Sequence, residues 1–447
     1  MRTGQIILGW LMNPSGSHRA SWMDFHGKPD PSTNIDLYVD LAREAEEAKF
    51  DFIFQADWPS IRPGPHQMIA RTVTYNNHLE PVTLMAALST ATSKIGLVAT
   101  GSTSHTEPYN LARQFAALDH VSRGRAGWNI VTTRSPIAAM NYGHAADVPH
   151  AERYHRGEEF VDLVVKLWDS YEDDAFIRNP ATGFYFDPAK LHVQNHSGEY
   201  FKVRGPLNIA RSPQGYPVLF QAGASDTGRQ LAARVGEVLF CNYGDITLMR
   251  DYYNSIKSIA TSLGRHPSGI KICCGFEIIV AESEAEAHEK FERFNSRLHE
   301  DTIKEVVAND IEADISNFRV DDLVTVDHLP KEANSSKSGD KILRSWLSER
   351  PMTVREIFHK FSLSRSSMSV HGTAQQVADR MEEWFSAGAV DGFILFFTLP
   401  SGIHDFRRLV IPELRRRGLF RSEYAGKTLR EHLGLQRPQF GHGLAGS

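Results

Sequence analysis

The sequence predicts an α/β protein, a (β/α)8 TIM barrel with insertions over its C-terminal face. Three observations predict it. Short apolar runs alternate with segments of helical periodicity, the pattern of a parallel sheet with crossover helices. Eight such runs occur, the number that closes a barrel. The length, 447 residues, suits one barrel carrying extra segments, here a single domain over 1–447.

In chain order, residues 6–12 read as a strand, and 36–49 as a helix because Leu37, Leu41 and Ala45 share a face. Strand 52–55, helix 81–92 and strand 95–99 follow, then helix 109–121, strand 125–131 and helix 152–169. Strand 218–221, helix 225–235, strand 238–241 and helix 249–262 continue the alternation. Strand 271–280, helices 284–298 and 373–387, strand 392–397 and helix 404–417 complete it. Three segments fall outside the repeat. Residues 170–217, rich in Asp, Gly, His and Asn, and the charged stretch 300–369, with its linker-like patch 331–341, read as insertions over the barrel mouth. The polar tail 421–447 reads as a strap or an oligomer contact.

Hydrophobic residues at 41% and charged residues at 23% describe an ordinary globular chain, and a net charge of −5 gives no reason to expect nucleic acid or an anionic membrane. No apolar run approaches the ~20 residues that cross a bilayer, and no signal peptide is evident, so a cytoplasmic protein is expected. Cys241, Cys273 and Cys274 have no metal-ligand spacing. His192 and His196 stand four apart, but Val193 takes the place where a zinc helix needs glutamate. No metal is expected.

Barrel enzymes carry their active groups at the C-terminal strand ends. Those ends supply Asn13, Asp57, Thr100-Gly101-Ser102-Thr103, the stretch from Asn129, and Gln221-Ala222-Gly223-Ala224-Ser225. Small, hydroxylic and amide groups dominate, which suits a large and mostly uncharged aromatic ring. Asp57 has no carboxylate partner in view, against glycosidase chemistry. Gly223-Ala224-Ser225-Asp226-Thr227-Gly228 closes a strand and opens a helix, so free N–H groups and the helix dipole converge as in a phosphate site. The same residues would equally make a tight turn with Ser225 as N-cap. Arg229-Gln230 replaces the Lys-Ser/Thr of a P-loop. Gly441-His442-Gly443-Leu444-Ala445-Gly446 spells a dinucleotide fingerprint, but only Ser447 follows, so no helix can hold a pyrophosphate. His18, in the loop Asn13-Pro14-Ser15-Gly16-Ser17-His18, and His150, four before Tyr154, stand out by setting.

The stretches Leu97-Val98-Ala99-Thr100-Gly101-Ser102-Thr103, Glu107-Pro108-Tyr109-Asn110-Leu111-Ala112-Arg113, Gly124-Arg125-Ala126-Gly127-Trp128-Asn129-Ile130-Val131-Thr132 and Thr428-Leu429-Arg430-Glu431-His432-Leu433-Gly434-Leu435 complete the picture. With them the chain, from about Leu8 to Leu435, resembles the nitrilotriacetate, EDTA and dibenzothiophene-sulfone monooxygenase branch of the luciferase-like flavin enzymes. The resemblance implies FMN, used as reduced FMNH2 with O2 as co-substrate. It implies flavin contacts at Asp57, Thr100, His150, Tyr154 and Ser225, with Asn129 and Ala224 lining the same site. Ser225 and Tyr154 would hold the phosphate; Thr100, Asp57 and Asn129 would lie nearer the ribityl chain or ring. His18 is the candidate proton donor or base, under a mouth shielded by Trp10, Trp58 and the two insertions. With no nicotinamide site visible, a separate NAD(P)H:flavin reductase is the expected partner, beside a small-molecule substrate and a homo-oligomeric (dimeric or tetrameric) state. Oxidative cleavage of a flavin or other heterocycle, or flavin binding without catalysis, are the alternatives. Some relatives carry a histidine in the second insertion; here none occurs between His299 and His328, which leaves the substrate class open.

Overall fold

The computed structural model describes residues 4–61, 66–71, 73, 76–133, 135–144, 149–223, 225–311, 315, 317–330, 337–364, 368–441 and 443–444. Eight parallel strands form the barrel wall: β1 (Ile7–Leu11), β2 (Phe52–Gln55), β3 (Gly96–Ser102), β4 (Ala126–Val131), β5 (Val218–Ala222), β6 (Val238–Cys241), β7 (Lys271–Ala281) and, after one further strand, β9 (Gly392–Phe397). Neighbours pair in that order, β9 lies between β7 and β1, and β6 pairs with β7. The barrel is therefore closed and has no edge to aggregate. Around it run α1 (Ile35–Glu47), α2 (Pro81–Ala91), α3 (Pro108–Val121), α4 (His150–Trp168), α5 (Asp226–Val235) and α6 (Ile246–Ser262).

Alternation along each strand divides the core. Leu8 and Trp10 face the helices, whereas Ile7 faces inward with Phe52, Val98, Phe220 and Ile394. Trp10, expected at the mouth, is instead 2% exposed in the outer layer, its ring 5.5 Å from that of Phe397. The Phe52 and Phe220 rings meet edge-on at 4.9 Å inside the barrel. They fit because the facing strands supply glycines: a Cβ on Gly9 would stand 2.2 Å from the Phe52 ring, and one on Gly127 2.7 Å from Phe220. Above this layer Leu11, Phe54, Phe240 and Phe396 are only partly buried and floor the mouth. Below it, Leu429, Leu433 and Leu435 of the tail close the other end.

That tail is a strap across the bottom of the barrel. Carboxylates there accept strand N–H groups: Asp51 from Leu8 (2.8 Å), Asp119 from Ala126 (3.1 Å), Glu237 from Leu219 (3.0 Å) and Asp391 from Ile272 (2.8 Å). Arg421 pairs with Asp51 and Arg430 with Glu237, so the tail's cations sit where the barrel places its anions.

The seventh βα unit departs from the expected pattern. Beyond the top of β7 the chain makes a long excursion: α7 (Glu284–Asn295), α8 (Glu300–Ile311), α9 (Lys337–Glu349) and α10 (Val354–Ser364). It returns as β8 (Met368–Thr373), parallel to the upper half of β7 from Phe276 to Ala281. Only then does α11 (Ala374–Ser386) descend to the start of β9, covering ~20 Å in 13 residues. So α11, not 284–298, is the seventh barrel helix. The insertion carries its own apolar cluster, including Val307, Leu347, Val354 and Ile357. Segment 170–217, expected over the mouth, packs elsewhere: along α4 and against the tail. Arg211 bonds Asp169 and the Pro438 carbonyl, and Gln214 bonds Asp119 at the barrel bottom. His192 and His196 enter separate pairs, with Glu172 (3.0 Å) and Glu159 (2.9 Å). Among the described residues no helix is long and apolar enough to cross a membrane.

Candidate active site

At the top of β5 the chain turns at Gly223 into α5, and Ser225 caps that helix by accepting the Gly228 N–H (3.1 Å). The turn is tight enough to demand glycine: a Cβ on Gly223 would stand 2.6 Å from the Gly228 carbonyl oxygen. Tyr154, from the first turns of α4, brings its hydroxyl to the same place. A Cβ on Gly228 would lie 3.3 Å from that oxygen and 3.0 Å from Ser225 Oγ. Tyr252 donates to the Gly223 carbonyl (3.0 Å), and Arg229 donates to the Tyr243 hydroxyl (3.2 Å), fixing the turn from behind. Two hydroxyls thus meet at the positive end of a ten-residue helix, whose first N–H groups have no partner within it. Ala224 lies outside the described residues. His150 opens α4, but its side chain lies outside them too.

Across the mouth, Thr100 at the top of β3 donates to the Gln55 carbonyl (2.8 Å) and accepts from Asn129 Nδ2 of β4 (3.0 Å). Ser102 accepts from Thr133 (2.8 Å) on the same rim. Asp57, just past β2, has a partner the sequence did not reveal: His78 Nε2 lies 3.1 Å from its Oδ1. His78 also lines a cleft of about 290 Å³ with Leu11, Asn13, Ser17, Gln55 and Phe396. Two oxygens of this cleft wall, Ser17 Oγ and Gln55 Oε1, are buried without a hydrogen-bond partner among the described residues. A buried polar atom left unpaired costs on the order of 1–3 kcal/mol, so such atoms mark a place built for a ligand or water. Gln55 was findable, as the one polar residue of an apolar strand; His78 and Ser17 carry no such signal.

His18 has a different setting from the one expected. Its Nδ1 accepts the Ala20 N–H (3.1 Å) and its Nε2 pairs with Asn295 Oδ1 (3.0 Å), while Phe291 and Phe294 of α7 pack on the ring. Both nitrogens are engaged, and burial lowers the pKa. The ring fastens the β1 loop to α7. His371 of β8 packs on the same Phe291 (4.5 Å), and burial pushes its pKa down from 6.5 to about 4. Folding therefore favours both imidazoles neutral. The stability this cluster contributes is complete above the ordinary 6.5 and is lost as pH falls from there toward about 4. Urea midpoints are expected to drop less between about pH 7 and pH 5 in His371→Phe than in the wild type. Equal drops would refute the assignment.

Known proteins resemble this chain over nearly its whole length. The family model described as luciferase-like monooxygenase matches residues 19–391. N-acetyl-S-(2-succino)cysteine monooxygenase of Bacillus subtilis is 43% identical over 437 residues, covering 97% of this chain and 97% of its own. Nitrilotriacetate monooxygenase component A of Aminobacter aminovorans is 40% identical over 443 residues, again covering 97% of each. The crystal structure of riboflavin lyase with modified FMN and substrate riboflavin superposes with a TM-score of 0.82 at 32% identity, covering 98% of this chain and 97% of that one. With nearly its whole length aligned to flavin-dependent monooxygenases of small organic molecules, the chain belongs to the luciferase-like monooxygenase family.

Proposed function

We propose that the barrel mouth binds reduced FMN and that the protein uses it with O2 to oxygenate or oxidatively cleave a small organic substrate. The observation that carries this is the turn at Gly223–Gly228, where Ser225, Tyr154 and the α5 N-terminus converge. The residues fit the cofactor: a phosphate would sit at that turn, and the rim of Thr100 and Asn129, with the Asp57 carboxylate beside them, would face the ribityl chain and ring. When bound, reduced FMN supplies the electrons that activate O2. The chain's own contribution is to bind, orient and shield. Ser225 and Tyr154 hydroxyls and helix N–H groups hold a dianion. The partly buried Leu11, Phe54, Phe240 and Phe396 give the ring an apolar floor, and the insertion after β7 is tied to the loop after β2 by the Arg71–Asp301 ion pair (3.6 Å). Ala224 and His150 belong to this site on the strength of the family pattern.

Reduced flavin would arrive from a separate NAD(P)H:flavin reductase, a reading supported by the relative that is itself named as one component, nitrilotriacetate monooxygenase component A. Fluorescence titration is expected to show FMN binding and no binding of NADH or NADPH. Tight NADH binding, or rapid NADH oxidation by this chain alone, would overturn the proposal.

A further inference from the structure

We propose that the cleft between the loop after β1 and the end of β2 is a substrate subsite that recognises an uncharged secondary amide. The inference rests on the flavin-site reading of the mouth. Leu11 and Phe396 belong both to the apolar floor and to the cleft, so a molecule held here lies beside the place given to the ring. The cleft, about 290 Å³, is at the small end of ligand pockets and takes a fragment rather than a second large ring system.

Two atoms of its wall have no hydrogen-bond partner among the described residues, Gln55 Oε1 and Ser17 Oγ. Gln55 is 7% exposed, so bulk water reaches little of it. Its Nε2 donates to the Ala56 carbonyl (3.4 Å), which orients the side chain and leaves Oε1, an acceptor only, to the cleft. The Ser17 hydroxyl can donate. Both groups are held in place. The Gln55 carbonyl accepts from Thr100 (2.8 Å), and the Ser17 N–H donates to the Phe397 carbonyl (2.9 Å). Other polar side chains of the lining turn to neighbours: Asn13 accepts from Ser15 (3.0 Å), Tyr38 donates to the Ser32 carbonyl (3.4 Å), and Asn77 donates to Asp30 (2.9 Å).

Among the described residues no Asp, Glu, Lys or Arg lines the cleft. An ammonium would meet no carboxylate in this wall, and a carboxylate no guanidinium or amine, so a neutral group fits it best. One acceptor and one donor, on separate chain segments, ask for a ligand whose donor and acceptor are different atoms. A secondary amide is that group. Its N–H meets Gln55 Oε1, and its carbonyl accepts from Ser17. An ester keeps the acceptor but lacks the donor, and a lone hydroxyl puts both on one atom.

The test titrates the full chain with three uncharged probes, N-benzylacetamide, benzyl acetate and benzyl alcohol, by ligand-observed NMR. The first two differ only by an N–H in place of an ester oxygen. In the wild type the amide is expected to bind on the order of 10-fold tighter than the ester or the alcohol. Gln55→Met keeps the bulk and removes the acceptor, so it should bring the amide down to the ester and leave the ester as it was. Ser17→Ala removes the donor to both carbonyls, so it should weaken amide and ester alike and keep their ratio. Equal binding of amide and ester by the wild type, no binding of either, or a preference that survives Gln55→Met would overturn the proposal. An alcohol that bound as tightly as the amide would also overturn it, making the cleft a hydroxyl subsite. Thermal melts check that both variants fold, and the wild-type comparison stands without them. FMN titration of the wild type is read separately. No FMN binding, with the amide preference intact, would remove the flavin site and keep the amide subsite.

Discussion

Ser225→Asp is expected to weaken FMN binding by on the order of 30- to 1,000-fold while leaving the fold intact. The hydroxyl of Ser225 caps α5 through the Gly228 N–H (3.1 Å) and faces the spot that Tyr154 also reaches. Aspartate is as good an N-cap as serine and suits the positive helix end, so the turn and α5 should survive the change. What changes is the charge met by a phosphate dianion. Two like charges about 4 Å apart near a protein surface repel by about 4 kcal/mol, and salt reduces this toward 2 kcal/mol, which is the stated range in Kd. If Ser225 were only a cap, the variant would bind FMN like the wild type. Equilibrium titration of both proteins, with circular dichroism and thermal melts beside it, separates the outcomes. Unchanged affinity with an unchanged melt would remove the phosphate from this turn. Gly223→Ala is the complementary case: its Cβ would press on the Gly228 carbonyl at 2.6 Å, so it should disturb the turn itself and lower stability along with affinity.

Much of the barrel was legible because its signals are local. The runs at 52–55, 238–241 and 392–397 coincide with strands β2, β6 and β9, since four to six apolar residues between turns leave few alternatives. The turn at Gly223–Gly228 and its Ser225 cap were legible for the same reason, being a strand end, glycines and a cap within six residues. What could not be read depends on contacts distant in sequence. Strand β8 reads Met-Ser-Val-His-Gly-Thr, with too little apolar patterning to announce itself; it is a strand because β7 is long enough to offer an unpaired upper edge. Recognising α11 as the seventh barrel helix required that strand. The Asp57–His78 pair spans 21 residues across a loop without periodicity. His18 was placed in the correct loop, yet the partners that engage its ring, Asn295 above all, lie 277 residues away. The tail was recognised as a strap or contact, but its role in closing the barrel depends on glycines such as Gly96. A Cβ there would stand 2.4 Å from Leu429.

The largest stability effect is expected at that closure, from Arg430→Met. Arg430 is 1% exposed. Its guanidinium pairs with both carboxylate oxygens of Glu237, donates to the Tyr216 carbonyl (3.2 and 3.3 Å) and to the Gln436 carbonyl (3.2 Å), and stacks 4.8 Å from the Tyr216 ring. Glu237 in turn holds the Leu219 N–H of β5 at 3.0 Å, so the pair joins the tail to the barrel wall. Methionine would fill part of the volume but leave Glu237 without its cation and two backbone carbonyls without donors. Breaking one partner of a buried pair costs about 3–5 kcal/mol, against a total stability of about 5–15 kcal/mol for a folded domain. Because the loss is mainly an uncompensated charge, removing that charge as well should recover part of it. The Arg430→Met/Glu237→Gln double variant is therefore expected to be more stable than Arg430→Met alone. Urea denaturation of the wild type, both single variants and the double variant measures this directly. A single variant within about 1 kcal/mol of wild type would mean that the tail contributes little to closure. A double variant that lost the full sum of both changes would show that packing, rather than charge pairing, holds the strap against the barrel.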